Sequence, residues 1–401
     1  MTDTSSITPI PHRWLTKDEI DTFRQDGVLV VSDLLSVTEL SQARQGLSDT
    51  LQNHHGIEPN RLAETGHRLA DLSSTNGSGG VLDLFYDEWK MTNIACHPTL
   101  LAWTQQLWKE LYAVYLLDST DKNDDSTMED WQRHQYGPFD PSKAYVYIDR
   151  IGYRLPTQLA LELGKKQQQP PEQQQSNNKN KSKQRPLQRG LTPHLDCCPD
   201  TFDDPPETKS KWRPIQCFVA LTDALHPNHG GLEAAKGFHR HFRQWQRPPT
   251  VTKRATFPAP CIGEYTHIRP TEDAHVMEQV QHVPVPAGSV VMWDTRIPHA
   301  NAYRHDGETP RAVVYTSFLP ADIAINQQYA QEQLRKWQRG ILPTDQWVNS
   351  SSSTTKQEED EEGTDKDAEE TLGAHQISAI KLREKLTPLQ RKLYAIEPWD
   401  D

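Results

Sequence analysis

Pro286-Ala-Gly-Ser-Val-Val-Met-Trp-Asp-Thr-Arg-Ile-Pro-His-Ala-Asn-Ala302 is the stretch on which the fold turns. Gly288 permits a tight turn, residues 289–293 read as a buried strand, and His299 lies just beyond it. Arg311 then opens Arg311-Ala-Val-Val-Tyr-Thr-Ser-Phe318, where Arg311, Val313, Tyr315 and Ser317 share one face by period-two alternation. Upstream, residues 215–221 and 231–234 have the same character. Short strands parted by Pro and Gly turns, without long helices between them, predict an antiparallel sandwich or barrel rather than a βαβ sheet.

Working outward, Thr192-Pro-His-Leu-Asp-Cys-Cys198 sets a histidine and a carboxylate two residues apart. In an extended chain both point to one side. With 17 histidines and 55 acidic residues, such a pair arises by chance, and on its own a bland surface strand is the better explanation. A remote histidine changes the weighing. His194, Asp196 and His299 have the donor types of a facial triad, three ligands on one octahedral face with the other positions open. Arg311 offers a fixed guanidinium fork to a carboxylate, the alternative being a partner for an internal acid.

The flanking regions are helical. Thr16-Lys-Asp-Glu19 and Ser36-Val-Thr-Glu39 have capping-box spacing on either side of a predicted strand, Gly27-Val-Leu-Val-Val31. A helix is expected over 98–117 and a strand over 143–150, and residues 73–80 read as a flexible loop. Residues 1–164 therefore form N-terminal helices and first strands, and 191–320 the β core with the metal site. Between them, 165–190 carries seven Lys or Arg against one Glu and reads as a disordered polar insertion. A helix at 321–348, an acidic linker at 349–370 and a helical tail at 371–401 complete the chain, the tail docking back on the core.

Composition excludes several classes. The net charge of −12 argues against a general nucleic-acid or anionic-membrane binder. Five irregularly spaced cysteines (Cys96, Cys197, Cys198, Cys217 and Cys261) give no disulfide framework or zinc pattern and suit a reducing compartment. No apolar run is long enough to span a bilayer, and neither terminus carries a secretory or peroxisomal signal, so a cytoplasmic protein is expected.

In the order H-x-D, distal histidine, arginine, the chain resembles the iron(II)/2-oxoglutarate oxygenase superfamily, and within it the phytanoyl-CoA dioxygenase family. Asp26-Gly-Val-Leu-Val-Val31, Phe218-Val-Ala-Leu-Thr-Asp223, Asn228-His-Gly-Gly-Leu232, Lys236-Gly-Phe-His239 and Ala287-Gly-Ser-Val-Val-Met-Trp293 carry the likeness, which covers residues 14–320 apart from the insertion. It implies a mainly β fold with flanking helices: a double-stranded β-helix core, jelly-roll or cupin-like, with helices packed on one side. His194, Asp196 and His299 would bind Fe(II), and Arg311 would hold the distal carboxylate of 2-oxoglutarate, with O2 as the other co-substrate. Asn301 stands where the family often has a serine contacting 2-oxoglutarate. Lys236–His239 replaces a P-G-S-H turn, so His239 is read as structural. Tyr145, Tyr147 and Arg150 remain open as a third co-substrate contact or as packing, and Trp293 and Trp212 as pocket walls or packing.

Related halogenases replace the carboxylate with a small residue, so Asp196 favours hydroxylation or another oxidation. The implied activity is oxidation of a small or medium-sized metabolite, with 2-oxoglutarate converted to succinate and CO2. The alternatives are an oxygenase acting on a protein or nucleic acid, with the basic insertion as a docking arm, and a catalytically silent binding or scaffold protein. Neither prime substrate nor oligomeric state is written in these residues.

Overall fold

The computed structural model describes residues 11–113, 129–167, 185–199, 201–245, 264–343 and 377–399. The end of the helix expected over 98–117, most of the basic insertion, the acidic linker and Cys261 lie outside the described residues.

Eleven strands are present among the described residues: β1 (Val28–Val31), β2 (Val81–Leu82), β3 (Ala144–Arg154), β4 (His194–Leu195), β5 (Ile215–Ala220), β6 (Leu232–Ala235), β7 (Thr266–His267), β8 (Val280–His282), β9 (Val290–Asp294), β10 (His299–Asn301) and β11 (Arg311–Pro320). They form a six-stranded sheet, β1-β9-β5-β11-β3-β2, and a five-stranded sheet, β7-β4-β10-β6-β8. Every strand pairing is antiparallel.

The six-stranded sheet is buried on both faces, which explains its nearly continuous apolar strands. Cys217, Val219, Val290, Met292 and Val314 enter one large core together with helix residues such as Phe23, Leu101, Trp103 and Leu107. Their neighbours Phe218, Ala220, Val291, Trp293 and Val313 point the other way, into a second core shared with Leu195, Leu232 and Ala234 of the smaller sheet. The helices thus lie on the outer face of one sheet, and the second sheet covers its inner face.

Local signals account for the N-terminal scaffold. Both capping boxes form, at Thr16/Glu19 ahead of α1 (Lys17–Asp26) and at Ser36/Glu39 ahead of α2 (Val37–Asp49). Gly27 ends α1 in the left-handed region, φ 64°, donating its N–H to the Phe23 carbonyl. A Cβ there would sit 2.4 Å from Nδ1 of His239, so this glycine is required by both backbone and space. The chain then enters β1, which pairs with β9 from Val28 opposite Trp293 to Val31 opposite Val290. Packed outside are α3 (Pro98–Leu111) and, after α4 (Thr157–Gln167), the C-terminal α5 (Ala324–Gln338).

The tail returns to the body as α6 (Ala379–Lys385) and α7 (Pro388–Leu393). Leu382 and Leu393 are fully buried, Trp337 Nε1 donates to the Ile377 carbonyl at 2.9 Å, and Tyr394 Oη donates to the Met91 carbonyl at 2.7 Å.

Two expectations need correction. Strand β3 runs on to Arg154 and carries an irregularity: its partner register with β11 shifts between Val314 and Thr316. That bulge falls at Asp149 and Arg150, so the alternation read for residues 145–150 holds as far as Ile148 and ends there. Cys198 is disulfide-bonded, whereas Cys96, Cys197 and Cys217 are free and buried. The irregular cysteine spacing hid that bond, because connectivity depends on the fold and not on spacing.

Candidate metal centre

His194 opens β4 and His299 opens β10, and the two are register partners across an antiparallel pair. The pairing places their rings with centroids 4.4 Å apart. Asp196, two residues along, brings Oδ1 to 3.6 Å from His194 Nε2 and Oδ2 to 3.7 Å from His299 Nε2. One ligand atom from each of the three side chains lies within 4.8 Å of the other two.

The orientation of each ring is fixed from behind. His194 Nδ1 lies 2.9 Å from the Thr192 carbonyl and His299 Nδ1 3.0 Å from the Ile297 carbonyl. A carbonyl only accepts, so each Nδ1 carries the proton and each Nε2 presents its lone pair toward Asp196. This is the backbone support that metal-ligating histidines usually have. Burial pushes the His194 imidazole down to about 4, His299 adding to the effect, and burial lowers His299 as well. Both rings are therefore neutral near pH 7. Burial works to raise the Asp196 carboxyl, but the charge that His194 and His299 take up in acid, together with the Arg213 guanidinium, outweighs it and holds it below the ordinary carboxylate range. Asp196 Oδ1 is buried without a hydrogen-bond partner. Two neutral nitrogen donors, one carboxylate and an orphaned carboxylate oxygen are a donor set suited to a divalent transition metal.

The turn carrying His299 is braced by a closed charge cluster. Arg296 reaches Asp294 through Nε at 2.7 Å and Nη2 at 2.5 Å, Tyr112 Oη donates to Asp294 at 2.6 Å, and Arg296 also donates to the Trp131 carbonyl. His239, buried between Gly27, the Arg24 carbonyl and the edge of Trp131, belongs to this scaffold and not to the triad.

The triad opens into a cavity of about 1270 Å³. Trp293, Asn301, Tyr315 and Arg150 line it, as do Arg213, Gln216, Tyr265 and His267. Residues 73, 75–78 and the described flanks of the basic insertion, including Gly164, Arg185 and Arg189, complete the wall. The loop at 73–80 and the insertion's ends are thus beside the triad.

The sequence candidates divide accordingly. Trp293 packs 5.1 Å from the His299 ring. Asn301 joins the cavity to Arg311: its Oδ1 accepts from Arg311 Nη1 at 2.9 Å and its Nδ2 donates to Tyr315 Oη at 3.1 Å. Arg311 itself lies behind this wall. Tyr145 and Tyr147 are absent from the lining; they pack with Leu319, Ala321 and Ala330, and Tyr147 stacks on Tyr329 at 5.7 Å. Because of the bulge, Asp149 and Arg150 both reach the cavity, Arg150 being tied to Asp83 at 2.7 Å. Trp212 stacks on Tyr136 beside a smaller cavity that also touches Asp196.

Three neighbours went unread in the sequence. Arg213 places Nη2 3.8 Å from Asp196 Oδ2 and Nη1 3.5 Å from Asp149 Oδ2, with its guanidinium 4.3 Å from the Tyr147 ring. Tyr265 stacks on His194 at 4.6 Å. Gln216 lowers the Asp196 carboxyl by hydrogen bonding. No local pattern marks them; only the sheet brings them to the triad.

A two-sheet antiparallel fold with helices on one face and a buried His-Asp-His cluster defines the class of molecule. A sequence model of the Gig2-like family matches residues 194–379, a segment that begins at the first triad residue. No protein of curated function matches the sequence. Among solved structures, the chain is similar to the hypothetical protein JW0805 from Escherichia coli, at 14% identity and TM-score 0.58, covering 95% of this chain and 82% of that one. It is also similar to the GlcNAc Inducible Gene 2 protein, GIG2 (DUF1479), from Candida albicans, at 15% identity and TM-score 0.55, covering 95% and 81%. At these identities the likeness shows a shared fold over nearly the whole chain.

Proposed function

We propose that this protein is an Fe(II)/2-oxoglutarate-dependent dioxygenase with a double-stranded β-helix core, oxidising a small or medium-sized organic substrate while 2-oxoglutarate becomes succinate and CO2. The observation that carries the reading is the convergence of His194, Asp196 and His299, with both Nε2 lone pairs and an unpartnered carboxylate oxygen directed at one point. Iron(II) held there would supply the activation of dioxygen.

The chain's own residues supply the rest. Backbone carbonyls of Thr192 and Ile297 hold the two rings in the ligating tautomer. Arg213 and Gln216 keep the Asp196 carboxylate ionised and in place. Arg311, coupled to the cavity through Asn301, would receive the distal carboxylate of 2-oxoglutarate by charge-assisted hydrogen bonds. Trp293, Tyr315 and Leu232 give the cavity apolar walls that limit water near the reacting atoms. The family likeness that this reading refines is to phytanoyl-CoA dioxygenases, and the volume of the cavity leaves room for a prime substrate beside the co-substrate.

Anaerobic equilibrium dialysis against Fe(II) tests it. One tightly held iron per chain, lost in both H194A and D196A, is the expected result. Wild-type protein that is folded yet holds no iron contradicts the proposal.

A further inference from the structure

Arg154 ends β3 and Arg311 opens β11, and they face each other as register partners. Cross-strand partners project to the same face of a sheet. Gly152, two residues before Arg154, lies against Val313 and the Tyr315 ring, which identifies that face as the inner one. Both arginines are almost wholly enclosed, at 1% and 2% exposure.

Their hydrogen bonding is incomplete. Arg311 Nη1 is satisfied by Asn301, but Nη2 is buried without an acceptor. Arg154 Nη2 donates to the Tyr303 carbonyl at 3.2 Å, while Nε and Nη1 have none. Among the described residues no carboxylate pairs with either guanidinium; the compensation for Arg311 is the Phe218 ring, 5.0 Å from its centre. Burial and the neighbouring Arg311 charge push Arg154 down to about 10. Two adjacent buried cations without a counter-charge are a costly arrangement, and a fold that keeps them has a use for their field.

The surroundings are shaped to leave these groups room. Gly79 and Gly80, both with positive φ, approach so closely that Cβ atoms would lie 2.9 Å from Asn301 Nδ2 and 2.8 Å from Arg154 Cα. Gly230, also at positive φ, passes against the Arg154 side chain, where a Cβ would be 3.2 Å from Cγ. Asn301, Tyr303 and Tyr315 line the large cavity on one side and touch the arginines or their partners on the other. The pair therefore lies one side chain behind the cavity wall.

A carboxylate accepts about four hydrogen bonds, enough to be shared by two guanidiniums. We propose that Arg154 and Arg311 together form a two-guanidinium clamp for the distal carboxylate of a dicarboxylic 2-oxo acid, Arg154 being the residue that sets selection against monocarboxylic ones. This rests on the 2-oxo-acid reading of the triad above. Asn301 yields its bond to Arg311 when the carboxylate arrives, and Tyr315 keeps the amide oriented.

The test compares wild type, R154Q, R154K and R311Q, loaded with Mn(II), by titration calorimetry with 2-oxoglutarate and with 2-oxopentanoate, which lacks the distal carboxylate. R154Q should weaken 2-oxoglutarate about 10- to 100-fold, the weight of a charge-assisted hydrogen bond, and leave 2-oxopentanoate unchanged. R154K, keeping the charge, should recover part of the loss, which a merely structural role would not produce. A second arm needs no metal: glutarate, with two carboxylates and no chelating keto group, should raise the melting temperature of metal-free wild type and not of R154Q. If R154Q and R154K bind 2-oxoglutarate like wild type while R311Q does not, Arg154 is no part of the clamp. If wild type binds neither 2-oxo acid, the oxygenase reading fails, and glutarate protection then decides the clamp alone: protection lost in R154Q retains it, and absence of protection removes it.

Discussion

Two buried arginine clusters flank His299 in the sequence, and they are built on opposite principles. Before it, Arg296 has every nitrogen on an acceptor: two on Asp294 and one on the Trp131 carbonyl, with Tyr112 completing the Asp294 carboxylate. After it comes Arg311, which with its cross-strand partner Arg154 from β3 leaves three nitrogen atoms without acceptors. A saturated cluster specifies geometry, here the turn that delivers His299 to the triad. An unsaturated one stores affinity for a charge from outside. The same residue type, equally buried, thus divides by how its hydrogen bonds close: Arg296 is scaffold, and Arg311 with Arg154 is, on the proposal above, binding machinery.

Acid should probe both clusters at once and give the largest effect. His134, His194, His239 and His305 are each held at about 4 by burial, against an ordinary 6.5. The folded protein thus binds fewer protons than the unfolded chain between those values. Their contribution is whole above pH 6.5 and is lost as the pH falls to 4, costing several kcal/mol in all, on the order of 1 kcal/mol or more per group. Urea midpoints across that range measure it. The Asp294–Arg296 pair should survive the window, because Arg296 and Tyr112 offset the effect of burial and hold the Asp294 carboxyl below its usual value. His305 lies near Arg154 and Arg311, so its protonation adds a further cation to the open cluster.

Breaking the closed cluster comes next. R296M strands Asp294 in the interior and should destabilise the fold by about 3–5 kcal/mol, read as a lower urea midpoint. Removing Arg213 is milder. R213Q leaves the triad present but loosens Asp196, and should weaken divalent-metal affinity about tenfold without a comparable loss of stability. The smallest change is expected where intuition puts a large one: R311M should alter stability by no more than about 1 kcal/mol, since an unpaired buried cation contributes little to the folded state. A loss for R311M as large as that for R296M, by the same urea measurement, would erase the distinction between the clusters.

How much of this was legible in the sequence follows from the range of the interactions. Capping boxes, Gly27, the apolar run at 289–293 and the period-two alternation at 311–318 are local signals, and the elements they predict form. The triad was readable because two ligands are two residues apart and the third follows shortly after a recognisable strand. Arg154, Arg213 and Tyr265 were not, since each reaches the site through sheet pairing or a bulge that no spacing encodes. Tyr145 and Tyr147 were placed among the site candidates by the family resemblance, which puts a co-substrate contact on this strand, and β3 turns them toward α5. The disulfide at Cys198 is the same lesson in covalent form.

The central claim is that the convergent histidines and carboxylate are a catalytic iron site. The most direct measurement is succinate formation from 2-oxoglutarate by the purified, iron-loaded protein under air, beside D196A verified as folded by its urea midpoint. The account predicts iron-dependent succinate from wild type, even at a slow uncoupled rate without prime substrate, and none from D196A. Iron-loaded wild type that neither binds 2-oxoglutarate nor forms succinate, or a D196A protein that matches wild type, would contradict it.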